Sequence, residues 1–569
     1  MRPIKVRKKS GLGARLLGTF LTCCLLAGLP TGSIASLFSA VKNESVKPGT
    51  PLISSLYQEL TQPHKVSAAT DVPVTMANNN FGYTSSVAGN VTKTGITVLS
   101  SKGTAVYSST TVSDANVQAA LYAIYKLASP TSDYALYIGA DVSLSSATMA
   151  KTVISQPTAS NMNFASLTSS YAKSLTVISD PADSLTSGPS QDTASAVISL
   201  PQTAYLGVNT AFRNITLAGS TKLYAQGNNL SIRGGAYFTG STVNIYGGTD
   251  SGNVAQTNLW FASTGSGTLN IYGGNDSAGT VTGSTAVSLT NTSGGTVNAY
   301  AGGNAGSVSG NTNLTYNSSN ATTANLYGAF ATSGTVTGNS FVDVLGATAG
   351  KLNVTGTAPN GKVAGNVNLG LSNLSGTTVG TIYGDGATTA PTTANTKRLI
   401  TVSVNSPGYN FTNDINASNY NLASNSGLLS SSLMNINAAT VPQISGGADG
   451  NDNFTNSSTA GNTNTATLYL GSRTASPAGP GKLTANLIHN FTSLNLLANN
   501  ELNLSASSGY IYNGGTGVTS TASYQSSYSG FGQLNMGENS GIVDNSLGGG
   551  TLNSNNELTP NNVMIQVGA

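Results

Sequence analysis

One short phrase, written six times between Thr242 and Tyr383, constrains this chain more than anything else in it. It reads TVNIYGG from Thr242, TLNIYGG from Thr268, TVNAYAGG from Thr296 and TANLYG from Thr323. A degenerate KLNVTG follows from Lys351, and TVGTIYG, with one extra residue, from Thr378. The starting positions differ by 26, 28, 27, 28 and 27 residues. A second phrase keeps the same beat: Val254, Val281, Val308, Val336 and Val363 each follow a glycine closely. Leu259, Val287, Leu314, Val342 and Leu369 come shortly afterwards, and Phe261, Leu289, Tyr316, Val344 and Leu371 two residues later again. A unit this small cannot close a core of its own and must stack on its neighbours, which predicts a solenoid.

The units read as strands. Val243 and Ile245, Leu269 and Ile271, and Ala324 and Leu326 alternate with polar residues at period two until glycine stops the run. The glycine and β-branched content is wrong for helical repeats. The fold class expected is therefore all-β: a parallel β-helix (β-solenoid) with coils of about 27 residues, stacked about 4.8 Å apart. Aligned residues then form ladders along the stack, and inward ladders of Val, Leu and Ile make a thin continuous core.

Charged residues are only 8% of the chain, against about 25% in an ordinary globular protein. The net charge of +3 includes Arg2, Lys5, Arg7, Lys8, Lys9 and Arg15, so the remainder is slightly acidic and nucleic-acid binding has no electrostatic support. Residues 1–35 read as a secretory signal: that basic start, the apolar run Leu16 to Leu29, and the small-x-small site Ser33-Ile34-Ala35. The run is short for a membrane span, and an uncleaved anchor is the alternative. Cys23 and Cys24 lie inside the run without the small residues of a lipobox, so cleavage would leave the mature chain without thiol chemistry and without a transmembrane segment.

Residues 36–111 are rich in Ser, Thr, Asn and Gly and read as a loosely ordered lead-in. Ser113-Asp114 then offers an N-cap to a helix with Val117, Leu121, Ile124 or Tyr125, and Ala128 on one face. One N-terminal amphipathic helix in this position is expected to cap the solenoid; a partner-binding helix is the competing reading. The β-helix is expected over 112–405. Residues 406–519 alternate well but hold no period, so they are further coils or a second β domain. Residues 520–569 are a Ser/Gly/Asn-rich tail that shows no sorting motif.

The phrases AYLGVNTAFRNITL from Ala204, KLYAQGNNLSI from Lys222 and the later NIYGG repeats resemble bacterial surface adhesins with a pectate-lyase-like β-helix domain. The likeness covers roughly residues 112 to 385. It implies a secreted or wall-associated adhesive protein, commonly of Gram-positive bacteria, and names no receptor.

A carbohydrate-enzyme reading needs carboxylates, which are scarce here. All five Glu (Glu44, Glu59, Glu501, Glu538, Glu557) lie outside residues 60–500, and the repeats carry only Asp250, Asp276, Asp343 and Asp385. Hydrolysis needs two carboxyls a few ångströms apart, one with a raised pKa; lyase chemistry needs a base beside a multi-carboxylate Ca²⁺ site. Asp250 and Asp276 could be neighbours on adjacent coils, but turn residues are the simpler account. His64 and His489 are the only histidines. GADGNDNFT from Gly447 matches a calcium nonapeptide at Gly447, Gly450, Asp452 and Phe454, but such sites need tandem copies. No catalytic residue, metal site or cofactor is expected.

Tyr246, Tyr272, Tyr300, Tyr327 and Tyr383 hold one place in the repeat, with Thr355 interrupting, and point opposite to the apolar positions. They are the candidate ligand-binding residues, offering aromatic surface beside Asn and Thr to a host or environmental glycan or glycoprotein. The competing reading is purely structural stacking at a corner. The Asn ladder (Asn244, Asn270, Asn298, Asn325, Asn353) reads as structural, since aligned amides hydrogen-bond along a stack. Together these features predict a secreted or cell-surface, non-catalytic adhesin. The alternatives are a polysaccharide lyase or hydrolase, or a passive stalk.

Overall fold

A computed structural model of the chain describes residues 82 to 566 apart from internal segments, the longest being 180–195, 449–464, 472–480, 513–532 and 545–562. The expected signal over 1–35 and most of the tail over 520–569 lie outside the described residues. All described residues belong to one unit, Pro73–Ala569.

Strands dominate, and most of them pair in parallel with their counterpart in the next repeat. A first line of pairing runs Thr203–Tyr205, Lys222–Tyr224, Thr242–Tyr246, Thr268–Tyr272, Thr296–Tyr300, Thr323–Tyr327 and Lys351–Thr355. A second passes through Asn229–Arg233, Thr257–Phe261, Thr285–Thr290, Thr312–Asn317, Ser340–Val344 and Val367–Ser372. A third is made of short pairs such as Thr280–Val281 with Ser307–Val308. Val243, Ile245, Leu259, Phe261, Val281 and their successors are buried in one continuous core cluster that extends from Ile96 to Leu502. Each such Val, Leu or Ile contributes about 1.5–3 kcal/mol when fully buried.

The glycine ahead of four of the five valines, Val254, Val281, Val308 and Val336, has a backbone reason. Gly252, Gly279, Gly306 and Gly334 have φ of +112°, +94°, +105° and +156°, a region that side-chain-bearing residues rarely adopt. The extra residue of TVGTIYG is accommodated by a break: Thr378–Val379 pairs with Lys351 and Leu352, while Tyr383 in Ile382–Asp385 pairs with Thr355. Parallel pairing continues beyond 405. Lys397–Asn410 pairs with Val367–Ser372 and with Leu429–Ser445, and Ala466–Leu470, Ser493–Leu496 and Gln533–Met536 follow in turn.

The helix spans Asp114–Leu127, with the Ser113 side chain accepting from Asn116 N. Val117, Ala120, Leu121 and Ile124 are buried in the common core, but Ala128 leaves in the left-handed region (φ +44°) and is not part of that face. The expected lead-in is more ordered near its end than its composition suggests. Ile96–Leu99 pairs antiparallel with both Ala105–Ser109 and Ser129–Ile138, and the helix lies against the first two of these strands. Four buried residues, Ile96 to Leu99, make that strand, a run too short to register as a period among so many Ser and Thr.

Candidate functional site

The first line of strands points Val243, Ile245 and their equivalents inward, and Thr, Asn and Tyr outward, so the outer face carries three rows. The tyrosine row is a continuous stack. Centroids are 4.7 Å apart for Tyr246–Tyr272, 5.4 Å for Tyr272–Tyr300 and 4.8 Å for Tyr300–Tyr327, with interplanar angles of 8°, 8° and 12°. Tyr205 and Tyr224 extend it at the other end, at 4.8 and 4.9 Å. Each stacked pair adds about 0.5–1.5 kcal/mol beyond burial.

The row is not uniformly open. Tyr205, Tyr224 and Tyr246 are buried in a cluster with Ala165, whereas Tyr272, Tyr300 and Tyr327 are half-buried. The Met149 carbonyl accepts from Tyr205 N and the Phe164 carbonyl from Gly207 N, so the segment around these residues closes the edge of the first strand. Of the five expected residues, four therefore stand in the stack, Tyr246 among them in its covered part. Tyr383 lies opposite Thr355, two coils beyond the last stacked ring, Tyr327. Burial pushes the phenols up, that of Tyr300 to about 12 with help from Tyr327 and Tyr272, so they remain neutral donors. For Tyr224 and Tyr246 burial is again the larger cause and the Asp276 carboxylate the next.

The asparagine row is hydrogen-bonded in one direction. Nδ2 of Asn270 donates to Oδ1 of Asn244 (2.8 Å), Asn298 to Asn270 (2.7 Å), Asn325 to Asn298 (2.6 Å) and Asn353 to Asn325 (2.6 Å). A second asparagine series works through the backbone: Oδ1 of Asn311, Asn339 and Asn366 accepts from the N–H of Asn339, Asn366 and Leu399, each at 2.8 Å.

Asp250 and Asp276 do sit on adjoining turns, because Asp276 N donates to the Thr249 carbonyl and Ser277 N to that of Asp250, both at 3.0 Å. Each is paired with a lysine: Lys151 with Asp250, and Lys222 Nζ with Asp276 Oδ2 at 2.7 Å. Tyr224 OH also donates to Asp276 Oδ2 (2.7 Å) and Asn304 Nδ2 to Oδ1 (3.1 Å). Burial raises both carboxyls, but these donors outweigh it and hold them below the usual range. Such a pair lacks the protonated acid that glycoside hydrolysis requires. Asp343 is different: burial pushes it up to about 6. It stands in the second line of strands between Thr315 and Gly370, and that row contains no second carboxylate among the described residues.

Among the described residues no three His, Cys, Asp or Glu gather to hold a metal, and no helix is long and apolar enough to cross a membrane. Gly450, Asp452 and Phe454 of the calcium-like motif, and His64, lie outside the described residues. His489 is buried in the row that continues from Tyr383 through Asn416 and Ser445.

Sequence reasoning missed Tyr205 and Tyr224 because their coils are shorter: Thr203 pairs with Lys222, and Lys222 with Asn244, off the beat of the later repeats. The usable signal was local, an inward Ala204 or Leu223 directly before each tyrosine. Lys151 gave no signal, since it reaches Asp250 from an irregular segment. Compared with known proteins, the chain matches no family model, no curated protein and no solved structure.

Proposed function

We propose that this chain is a secreted, surface-displayed, non-catalytic adhesin built as a β-helix of about 27-residue coils, with the N-terminal helix capping the core. The outer face of the first line of strands displays the binding surface, and the ligand class is a host or environmental glycan. The observation that carries this reading is the register-locked surface of Thr, Asn and Tyr rows, repeated in the strands Thr268–Tyr272, Thr296–Tyr300 and Thr323–Tyr327 with no charged residue in any of the three. Weak contacts repeated along such a stack, and again over many copies on a cell, gain strength by multivalency. The helix reading is supported by Val117, Leu121 and Ile124, which are buried in the same core cluster as Ile96 and Val98, and by the helix's contacts with Ile96–Leu99 and Ala105–Ser109. The lyase or hydrolase alternative is disfavoured by the two lysine-paired, low-pKa aspartates.

The test is retention of the purified chain on mucin, extracellular matrix and plant polysaccharides, with release of reducing ends assayed alongside. Retention without release is the expected result. Release of new reducing ends would replace the adhesin with an enzyme, and neither retention nor release would leave a stalk.

A further inference from the structure

Resting on that adhesive reading, we infer that Tyr272, Tyr300 and Tyr327 recognise their partner through phenol hydroxyls and not ring faces, and that the partner is a single uncharged, extended glycan lying along the stack. The usual route from tyrosine to sugar is contact between a ring face and C–H groups. Here that route is closed for Tyr272 and Tyr300, and half-closed for Tyr327, whose other face meets Thr355. Both faces of Tyr300 are covered by Tyr272 and Tyr327 at 5.4 and 4.8 Å, and nothing fits between rings at that separation. What the row offers outward is ring edge and hydroxyl, once per coil.

The neighbouring rows extend the same surface. Within the ladder, Asn298 uses one N–H toward Asn270 and accepts one bond from Asn325. An amide has two N–H groups and two lone pairs, so a donor and an acceptor remain for an outside ligand. Thr268, Thr296 and Thr323 stand in register beside it. Charge fixes the class of partner. The first charges met along the face are the Lys222–Asp276 pair at one end and Lys351 at the other, so the three rungs between them favour neither an anionic nor a cationic polymer. An uncharged polyol is the complementary partner. Direction follows from spacing, because these donors recur along the stack at the separation of the rings. An extended β-1,4-linked chain advances one sugar in about that distance and can present one hydroxyl set to each coil; a coiled α-linked chain falls out of step.

The experiment is calorimetric titration of the full chain with cello-oligosaccharides from di- to hexasaccharide, with malto-oligosaccharides and oligogalacturonates as comparators. The chain variants are Tyr300→Phe and Tyr300→Ala, each checked for an unchanged melting curve. Affinity for the cello series should rise with length to about the span of three rungs and then level off, and exceed that for both comparators. Tyr300→Phe keeps the stack and loses only the hydroxyl, so it should weaken binding by about two- to tenfold, the range of one hydrogen bond. If Tyr300→Ala melts early, Tyr300→Phe alone decides. Wild-type affinity in Tyr300→Phe, or preference for a comparator, overturns this inference while leaving a glycan adhesin in place. Absence of binding to every glycan, here and in the retention assay, overturns the adhesive reading itself.

Discussion

Replacing Asp385 by alanine should strongly destabilise the solenoid around Thr357, Arg398 and Tyr420. Both partners of the Asp385–Arg398 pair have side chains only 1% exposed, with Arg398 Nη1 2.9 Å from Asp385 Oδ2. Tyr420 OH donates to the same oxygen at 2.8 Å. Thr357 Oγ1 (2.6 Å) and Ala387 N (3.1 Å) donate to Oδ1. Asp385→Ala removes four acceptor contacts and leaves a guanidinium in the interior, where Arg398 Nε and Nη2 already find no partner among the described residues. Removing one member of a buried pair costs about 3–5 kcal/mol. Because each coil touches only its neighbours, the loss should be local. Amide exchange should accelerate near Thr357, Arg398 and Tyr420 and stay slow around Ile245 and Ile271. Urea unfolding followed by circular dichroism gives the magnitude. The double change Asp385→Leu with Arg398→Met, which leaves no buried charge, should recover most of the loss. The reasoning is refuted if the single variant loses less than about 1 kcal/mol, or if the double variant is weaker than the single.

Three further outcomes are expected. Asn298→Ala breaks two ladder bonds and should lower stability by about 1–2 kcal/mol, measured by urea titration. Tyr246→Ala, at a residue 3% exposed, should cost about 3–5 kcal/mol, and Tyr300→Ala clearly less, which paired melting curves will rank. Asp343 binds its proton more tightly folded than unfolded, so its contribution is most favourable below the unfolded value. Stability should fall by on the order of 2–3 kcal/mol as pH rises from about 4 through about 6. Asp343→Asn should flatten that slope in urea midpoints taken across the range.

The parts of this fold that were legible in the sequence are those where residue type repeats in register. Val243, Ile245, Leu259 and Phe261 announced inward rows through alternation, and Asn244 to Asn353 announced the amide ladder through their shared place in the phrase. The unread parts are those where contact is made across unequal coils or from irregular chain. The stack begins at Tyr205, but two short coils hide it from a count of 27. The closing of the stack at Tyr205 by the segment around Met149 and Phe164 depends on chain that has no period. Arg398 gave no hint that it would turn inward, because only the carboxylate of Asp385 in the preceding coil makes that position tolerable. The candidate surface was legible as a row of tyrosines, but its chemistry was not. Whether a ring offers its face or its edge depends on the distance to the next ring, which no single coil encodes.

Each amide from Asn270 to Asn353 donates back toward the preceding coil, so the series that begins at Asn244 has a sense of direction. Each finished coil presents a fixed carbonyl oxygen to whatever arrives next. A coil that closes in the correct register delivers its own amide to that oxygen, and one that slips by a residue delivers an apolar side chain instead. The row therefore discriminates the correct register at each coil boundary. Its message stops at Gly380, where the phrase carries no amide and Asn353 Oδ1 lies where a side chain would begin.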